Sequence, residues 1–406
     1  MNKTVWIVHQ YASTPASGIG GRHFYLAEEL ARLGYRVYVI AASANHLLHT
    51  QPKLSGDVTI EKVGGFHFVW IKMPGYTEAH SKQRAINWFL FPWKIQKLAR
   101  LIADKPDAVL CSSPSLIAFL GAQRLANKFN ARLIFEVRDI WPLTLTEIGG
   151  LSVNHPFIRI MQWVERRAYR DADRVVSNLK NSVEHMVCLG LQRQKFYWIP
   201  NGFSRTEVEQ QVRLNEQARR KLPKEKFIVG YTGTLGVANA LDVLLEAASR
   251  LRTYSDIAFV LVGHGKEKEQ LKQQARALGL KTLYFIDPIP KVEIQSILQE
   301  FDACYIGWRE NELYRFGIGA NKIPEYLFSR KPIIHSYSGA CEPVKECGAG
   351  LLVPAENPQA VADAILQLYR LPQAERDRLG ENGRREAEET YEYSQLARRL
   401  ETVLFG

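Results

Sequence analysis

The stretch from Gly317 to Ile334, GIGANKIPEYLFSRKPII, combines residue types that can bind an anion. Gly317 and Gly319 predict a loop that a ligand can approach closely, and Asn321 begins the helix that follows. Free amides at a helix start favour an anion such as a phosphate. Glu325, one turn into that helix, is a natural acceptor for hydroxyl groups. The alternative interpretation is an ordinary loop, helix and strand, because one glycine-rich turn is weak evidence.

Three more loops in the same half of the chain follow predicted strands. Residues 232–236 follow the strand 227–231, Gly263 and Gly265 follow the strand 257–262, and Asp287 follows the strand 282–286. Asn239 is the predicted N-cap of the helix 239–251. The ends of parallel strands meet at one sheet edge, where small residues let a diphosphate reach backbone amides. The convergence of these loops with the Glu325 helix predicts a nucleotide-diphosphate site.

The first half begins with the same kind of unit. An apolar strand over residues 4–9 precedes a loop with Gly18, Gly20 and Gly21, and an amphipathic helix follows over residues 22–33. This order predicts a parallel sheet with a right-handed crossover. The glycines either permit a tight turn or let a substrate approach the backbone, with Arg22 and His23 as polar contacts.

A second polar group in this half follows the buried strand 132–137. The sequence EVRDIWP delivers Arg138, Asp139 and Trp141 to the loop at the carboxyl end of that strand. Side chains at such a strand end are often functional. The alternative is a structural ion pair between Arg138 and Asp139.

The segment from Lys82 to Lys105 mixes aromatic and basic residues, and Pro92 is expected to interrupt its helix. Aromatic rings beside cations suit the interface of an anionic membrane, and the alternative is a core helix whose charges face water. The aromatic and basic residues are Trp88, Phe89, Phe91, Trp93, Lys82, Arg84, Lys94, Lys97 and Arg100.

Composition limits the class of protein. The 406 residues, 46% hydrophobic and 23% charged, predict a soluble protein of two domains. The net charge of +11 favours an anionic partner, and its dispersal along the chain argues against nucleic acid. The start lacks the pattern of a signal peptide, and no segment has the ~18 apolar residues of a membrane span. Five cysteines without a CxxC pair predict a reduced cytoplasm and no zinc site.

Two features complete the predicted organisation. The polar run over residues 204–226 predicts a domain boundary. The first domain is 1–203, with residues 391–406 packing back on it, and the second is 204–390. Asp171-Ala172-Asp173 matches the DxD metal motif of some sugar transferases, but it spans a helix end and a strand start. These aspartates are therefore predicted to form a turn, with no metal.

Six segments in this order resemble the retaining glycosyltransferases of family 4. They are GIGGRHFYLAEELARLGYRVYVIA, FEVRDIWP, WIPNGF, YTGTLGVANALDVLLEAA, LVGHG and NKIPEYLFSRKPII. The resemblance implies an α/β fold of GT-B type, with two facing Rossmann-like domains and parallel sheets. It is strongest to bacterial enzymes that build O-antigen, capsule or exopolysaccharide, often with N-acetylated aminosugars or deoxysugars.

The resemblance and the positions of residues in the loops after predicted strands together give the expected site residues. The catalytic residues are Asp139, Arg138 and Lys322, and the acceptor is contacted by Arg22, His23 and Trp141. Glu325 matches the glutamate that binds the ribose. The donor-binding residues are Gly20, Gly21, Gly233, Thr234, Leu235, Asn239, Gly263, Gly265, Ile286, Asp287, Arg309, Gly319, Ala320, Asn321 and Glu325.

Three departures from the family pattern affect these roles. Gly317 stands where the family has its first glutamate, and Glu310 or Glu312 is the alternative source of that group. Thr234 and Asn239 stand where the family has a basic pair, so backbone amides with Lys322, Arg309 or Arg315 must stabilise the leaving group. Arg138 and Asp139 stand where the family has a histidine.

The implied function is transfer of a sugar from a nucleotide-diphosphate sugar, with UDP as the expected nucleotide, to an acceptor hydroxyl with retention of configuration. The implied acceptor is a saccharide on a polyprenyl diphosphate, which places the enzyme on the cytoplasmic face of an anionic membrane. No metal or other cofactor is expected. The alternatives are a sugar-nucleotide 2-epimerase and a two-domain binding protein without catalysis.

Overall fold

The computed structural model describes residues 3–18, 20–76, 81–210 and 212–406. These residues form two units, one of residues 1–201 with 393–406 and the other of residues 202–392. The predicted boundary lies two residues further along the chain.

The first unit is built on an eight-stranded sheet in the order β3-β4-β2-β1-β5-β6-β7-β8. Apart from the more exposed edge strands β3 and β8, its strands are mainly apolar segments that are buried because helices cover the sheet. Every pairing is parallel except that of β3 with β4, which is an antiparallel hairpin at the sheet edge. The strands are β1 (Thr4–Val8), β2 (Arg36–Ala42), β3 (Val58–Val63), β4 (Phe66–Ile71), β5 (Ala108–Ser112), β6 (Arg132–Val137), β7 (Arg174–Ser177) and β8 (Phe196–Trp198).

The helices of the first unit lie between these strands. They are α1 (Arg22–Arg32), α2 (Lys82–Lys94), α3 (Leu98–Leu101), α4 (Ala118–Phe129), α5 (Leu143–Glu147), α6 (Pro156–Asp171), α7 (Val183–Cys188) and, from the chain end, α17 (Tyr393–Phe405).

The last helix, α17, packs against the first unit, as predicted. The Tyr393 ring stacks on Tyr25 of α1 with a centroid distance of 5.0 Å. The Tyr35 hydroxyl donates to a Glu401 carboxylate oxygen at 2.5 Å, and Leu396 and Leu400 are buried in the core of this unit. These contacts confirm that the chain end returns to the first unit.

The prediction that Pro92 interrupts its helix was wrong. Helix α2 continues through Pro92 to Lys94 and then tightens into a 3-10 turn over Ile95–Lys97. Gly121 of α4 lets the two helices approach closely, since a Cβ there would be 2.6 Å from the Pro92 carbonyl oxygen. The Gln96 side-chain amide donates to that oxygen at 2.9 Å and to the Gly121 carbonyl at 3.0 Å, which ties α2 to α4.

The second unit is built on a six-stranded parallel sheet in the order β11-β10-β9-β12-β13-β14. Its strands are β9 (Phe227–Thr232), β10 (Ile257–Val262), β11 (Leu283–Ile286), β12 (Ala303–Gly307), β13 (Ile333–Ser336) and β14 (Gly350–Val353). The order reverses between β9 and β12, and ligands of such sheets bind beyond the carboxyl ends of the strands at this point.

Helices cover both faces of this sheet. They are α8 (Arg205–Val208), α9 (Glu216–Arg220), α10 (Leu241–Arg250), α11 (Lys268–Ala277), α12 (Ile294–Gln299), α13 (Lys322–Phe328), α14 (Pro343–Glu346), α15 (Pro358–Arg370) and α16 (Gln373–Glu386). Two apolar clusters, one on each face, form the core. No helix in the described ranges is long and apolar enough to cross a membrane.

Candidate functional site

A lysine from α13 supplies positive charge to the loop after β9. The Lys322 ammonium donates to the Asn239 side-chain oxygen at 3.0 Å and lies 4.9 Å from the centre of the Tyr231 ring. A Cβ at Gly233 would be 2.4 Å from Lys322 Cε, so the two residues are in close contact. Burial lowers the pKa of Lys322 to about 8, although Glu325 opposes this shift. The loop that lacks its own basic pair therefore receives a charge from another element.

Asn239 does not have the role that was predicted for it. Helix α10 begins at Leu241, and its N-cap is Ala240 in a left-handed conformation with φ of 45°. The Asn239 amide instead donates to the Thr234 carbonyl at 2.9 Å, while its oxygen accepts from Lys322. The N-cap prediction was wrong because Asn239 folds back across its own loop.

Two glycines hold this loop against its neighbour. A Cβ at Gly263 would be 1.9 Å from the Gly233 carbonyl oxygen, and one at Gly265 would be 2.0 Å from the Leu235 carbonyl oxygen. The Leu235 amide also donates to the His264 carbonyl at 2.9 Å. The close approach explains why both positions are glycine, because any side chain would separate the two loops.

The carboxylate of Glu325 lies within α13 and is mostly buried. It forms an ion pair of 2.6 Å with the more exposed Lys291. The residues before it, Gly319 to Asn321, form the partly exposed approach to α13, and Asn321 makes no side-chain cap. Glu325 is thus an anchored carboxylate at the carboxyl edge of the sheet.

The loop after β11 is fixed by charge. Ile286 is buried, and its carbonyl accepts from the Gly263 amide at 3.0 Å. The Asp287 carboxylate pairs with Lys268 at 2.8 Å and with Lys221 at 3.0 Å. These two ammonium groups lower the pKa of Asp287 to about 2. Asp287 therefore has a structural task in holding this loop.

Arg309 is already neutralised within the second unit. Its guanidinium pairs with Asp242 at 2.7 Å and with Glu356 at 3.0 Å, and its Nε donates to the Val237 carbonyl. These contacts leave Lys322 as the better source of charge for a ligand. Glu312, one alternative to the first glutamate, is highly exposed and lies 3.7 Å from Arg315.

In the first unit, the glycine loop leads into a buried polar cluster. Gly20 and Gly21 have φ of 73° and 79°, values that favour glycine. Arg22 and His23 follow, and both contact Glu136 at the end of β6, at 2.8 Å and 2.6 Å. Glu136 was not among the predicted site residues, although a charged residue within the mainly apolar strand RLIFEV is a signal that indicates it.

The loop after β6 positions the other predicted residues of the first unit. The Arg138 amide donates to the Ser113 hydroxyl at 2.9 Å, and the described residues show no hydrogen-bonded ion pair between Arg138 and Asp139. Loss of surrounding water raises the pKa of Asp139, and Arg138 opposes this shift. The Trp141 ring packs edge-to-face on Trp88 at 5.5 Å, below the Arg84 guanidinium.

The two aspartates of the DxD match are structural. Asp173 accepts from the Leu133 amide at 2.7 Å, and Asp171 accepts from Gln123 and Arg170. Across the described ranges, no group of three or more His, Cys, Asp or Glu side chains is arranged to hold a metal ion.

Two family models match the chain, one in each half. A glycosyl transferase 4-like domain matches residues 17–202, and the glycosyl transferases group 1 model matches residues 212–386. Two Rossmann-like units that carry these matches define the class of GT-B glycosyltransferases. The chain is a glycosyltransferase. Its first half is a glycosyl transferase 4-like domain, and its second half is a domain of the glycosyl transferases group 1.

Relatives agree with this assignment. WcaI of Escherichia coli (strain K12), named as a colanic acid biosynthesis glycosyl transferase, is 23% identical over 302 residues, which are 72% of this chain and 74% of WcaI. The D-rhamnosyltransferase WbpZ of Pseudomonas aeruginosa is 24% identical over 244 residues, which are 59% of this chain and 61% of WbpZ.

Solved structures show the same fold. Sucrose-phosphate synthase from Thermosynechococcus elongatus has a TM-score of 0.74 and 16% identity, and the match covers 99% of this chain and 98% of the synthase. Anabaena HepE, solved with UDP and glucose, has a TM-score of 0.65 and 15% identity over 99% of both chains. The predicted GT-B fold is confirmed.

Proposed function

We propose that the protein transfers a sugar from a UDP-sugar to a saccharide on a polyprenyl diphosphate, in the synthesis of a bacterial surface polysaccharide such as O-antigen. The observation that carries the proposal is Lys322, whose partly buried ammonium lies between the close-packed loop after β9 and the start of α13. A desolvated cation suits the charge that develops on a departing diphosphate. The complex of HepE with UDP, and the role named for WcaI, support the donor and the pathway class.

The proposed reaction retains the anomeric configuration, as the resemblance to family 4 implies. The bond between the anomeric carbon and the diphosphate oxygen breaks, and the acceptor oxygen forms its bond on the same face. The acceptor proton passes to the departing diphosphate. The enzyme orients both substrates, with Arg22, His23, Asp139 and Trp141 assigned to the acceptor.

The experiment for this proposal measures UDP release and the transfer of labelled sugar into the lipid fraction. The purified protein is incubated with UDP-sugars and a polyprenyl-diphosphate saccharide, with and without EDTA. The proposal expects transfer that EDTA does not reduce, since Lys322 replaces a metal, and a product anomer that matches the donor by NMR. An inverted product or transfer that requires a divalent metal would contradict the mechanism.

Glu325 is assigned to the ribose hydroxyls, and this assignment gives a prediction. Glu325→Ala should weaken UDP binding by about 10- to 100-fold, because hydrogen bonds to a charged group contribute about 1.5–3 kcal/mol. Lys291→Ala is the matched control, because it removes the ion-pair partner and leaves the carboxylate available. Calorimetric titration with UDP measures both. Equal weakening by the two substitutions would show that the ion pair, and not a ribose contact, is what matters.

The proposed enzyme works at the inner face of the cytoplasmic membrane, which it contacts through the segment from Lys82 to Lys105. The structure changes which rings are available for this contact. Trp88 and Phe91 are buried in the first unit, whereas Phe89 is 47% and Trp93 is 66% exposed. Ile86 lies on the same outer face of α2 and is also exposed. The proposed contact therefore rests on Ile86, Phe89 and Trp93 with the neighbouring cations.

This membrane contact is tested with vesicles that contain anionic phosphatidylglycerol. Phe89→Ser with Trp93→Ser should weaken vesicle binding by about tenfold or more. Two aromatic side chains that become partly buried in the lipid interface contribute about 1.5–3 kcal/mol to the binding free energy. Ile60→Ser on β3, at 41% exposure in the same unit, is the control and should bind as the wild type does. Binding is measured by co-sedimentation with the vesicles. If the double variant sediments with them as the wild type does, α2 is not the membrane contact.

A further inference from the structure

Glu136 joins two segments that are far apart in the chain. Its Oε1 accepts from Arg22 Nε at 2.8 Å, and its Oε2 contacts His23 Nε2 at 2.6 Å, across 114 and 113 residues of sequence. The Glu136 side chain is only 1% exposed. The end of strand β6 and the first turn of helix α1, which directly follows the glycine loop, are therefore held together through one carboxylate.

The protonation states in this cluster follow from burial and charge. Burial alone would raise the pKa of Glu136, but the Arg22 charge and the contact with His23 hold it well below its usual value. Burial lowers the pKa of His23, with Glu136 opposing, so the ring is neutral. An ionised carboxylate can only accept, so His23 donates from Nε2 and its Nδ1 carries the lone pair.

His9 at the end of β1 completes the cluster. Its ring stacks on that of His23 with a centroid distance of 4.2 Å and an angle of 30°. Burial lowers the pKa of His9 well below its usual value, and the neighbouring His23 and Arg138 act in the same direction. Two neutral rings are thus fixed in place, one by stacking and one by Glu136.

The cluster contains buried polar atoms that lack protein partners. In the part of the chain that the structure describes, Arg22 Nη2 and His9 Nδ1 have no hydrogen-bond partner, and neither has Arg138 Nε. Each unsatisfied buried group costs about 1–3 kcal/mol. All three lie at the carboxyl edge of the first sheet, so a polar ligand at this edge would satisfy groups that the fold leaves open.

We infer that Glu136 is a positioning residue for transfer. Its two oxygens are occupied, so it acts on substrate only through Arg22 and His23. The inference rests on the proposed function, in which these two side chains contact the acceptor. A flexible arginine gains most from such an anchor, because displacement of a contact by about 1 Å can cost about 10²-fold in rate. A purely structural role would instead affect stability without changing acceptor kinetics.

The test compares Glu136→Gln with the wild type in steady-state transfer. The amide keeps the size of the side chain but loses the charge that holds Arg22. We expect acceptor KM to rise by about tenfold or more and kcat to fall, while UDP affinity, which the proposed function assigns mainly to Lys322 and Glu325, stays within about twofold. Glu136→Asp keeps the charge and should recover part of the loss.

A double-mutant cycle separates positioning from fold maintenance. Because Glu136 acts partly through Arg22, the effect of Glu136→Gln combined with Arg22→Gln on acceptor KM, expressed as a free energy, should be smaller than the sum of the two single effects. If Glu136→Gln does not fold, Glu136→Asp provides the second test, because the shorter anchor should still raise acceptor KM with UDP binding intact. Additive effects, or an active folded Glu136→Gln with unchanged acceptor KM, would overturn the inference. A wild type without any transfer would contradict the proposed function itself.

Discussion

Lys322→Met should reduce kcat by about 10²- to 10³-fold, the range seen when one donor to a developing anion is removed. The ammonium is the charge next to the loop that lacks a basic pair, and Arg309 is already paired with Asp242 and Glu356. The protein should remain folded, because the substitution removes a charge that burial disfavours. Lys345→Ala, which removes an exposed lysine of the same unit, is the control and should keep full activity.

The pH dependence of nucleotide binding gives a second measurement on Lys322. Its pKa of about 8 in the free protein means that the ammonium is charged below pH 8 and neutral above it. UDP affinity should therefore fall as the pH rises from about 8 to 10, and the fall should be absent in Lys322→Met. A wild-type affinity that is flat over this range, or a Lys322→Met enzyme with normal kcat, would remove Lys322 from the leaving-group site.

Gly263→Ala should abolish measurable UDP binding and lower the stability of the second unit. The new Cβ would lie 1.9 Å from the Gly233 carbonyl oxygen, and the φ of 145° is one that side chains rarely adopt. The loop after β9 must then move, and Gly233 moves with it against Lys322. Overpacking of this kind costs about 1–3 kcal/mol, before the loss of the ligand contacts is counted.

Gly236→Ala is the matched control for this substitution. It lies in the same loop with φ of −141°, and its new Cβ would meet Thr234 at an ordinary 3.6 Å. Thermal unfolding and UDP titration of the two variants should differ sharply. If Gly263→Ala binds UDP as well as Gly236→Ala does, the close packing of these loops is not what shapes the site.

The sheet edges could be predicted from sequence, because glycines and polar residues directly follow apolar strands. Gly20, Gly233 and Gly263 all lie in the predicted loops after strands, and all three have positive φ. Two units with parallel sheets followed from the same pattern, and the GT-B fold followed from the resemblance to family 4. Signals of this kind depend only on a few neighbouring residues, so they can be recognised without knowledge of the fold.

Contacts between distant residues could not be predicted in the same way. Lys322 meets Asn239 across 83 residues, and Glu136 meets Arg22 across 114. Both contacts depend on which strands are neighbours, so each residue alone looked like an ordinary helix start or strand end. The Asn239 cap failed for this reason, since its side chain bonds within the loop and to Lys322.

The outer face of α2 is a case in which a sequence signal was present but unused. Trp88, Phe91 and Ile95 recur at helical spacing and form the buried stripe, while Ile86, Phe89 and Trp93 form the exposed one. Composition alone grouped all the aromatic residues together. Periodicity would have separated the buried rings of the core from the exposed rings.

The central claim is that the second unit binds the nucleotide diphosphate of the donor with Lys322 and Glu325. Calorimetric titration of the wild type, Lys322→Met and Glu325→Ala with UDP, GDP and ADP tests it most directly. The account predicts saturable binding of UDP, weaker binding of the other two, and a clear loss in each variant while both remain folded. Absence of binding for all three nucleotides, or UDP binding that neither substitution changes, would contradict it.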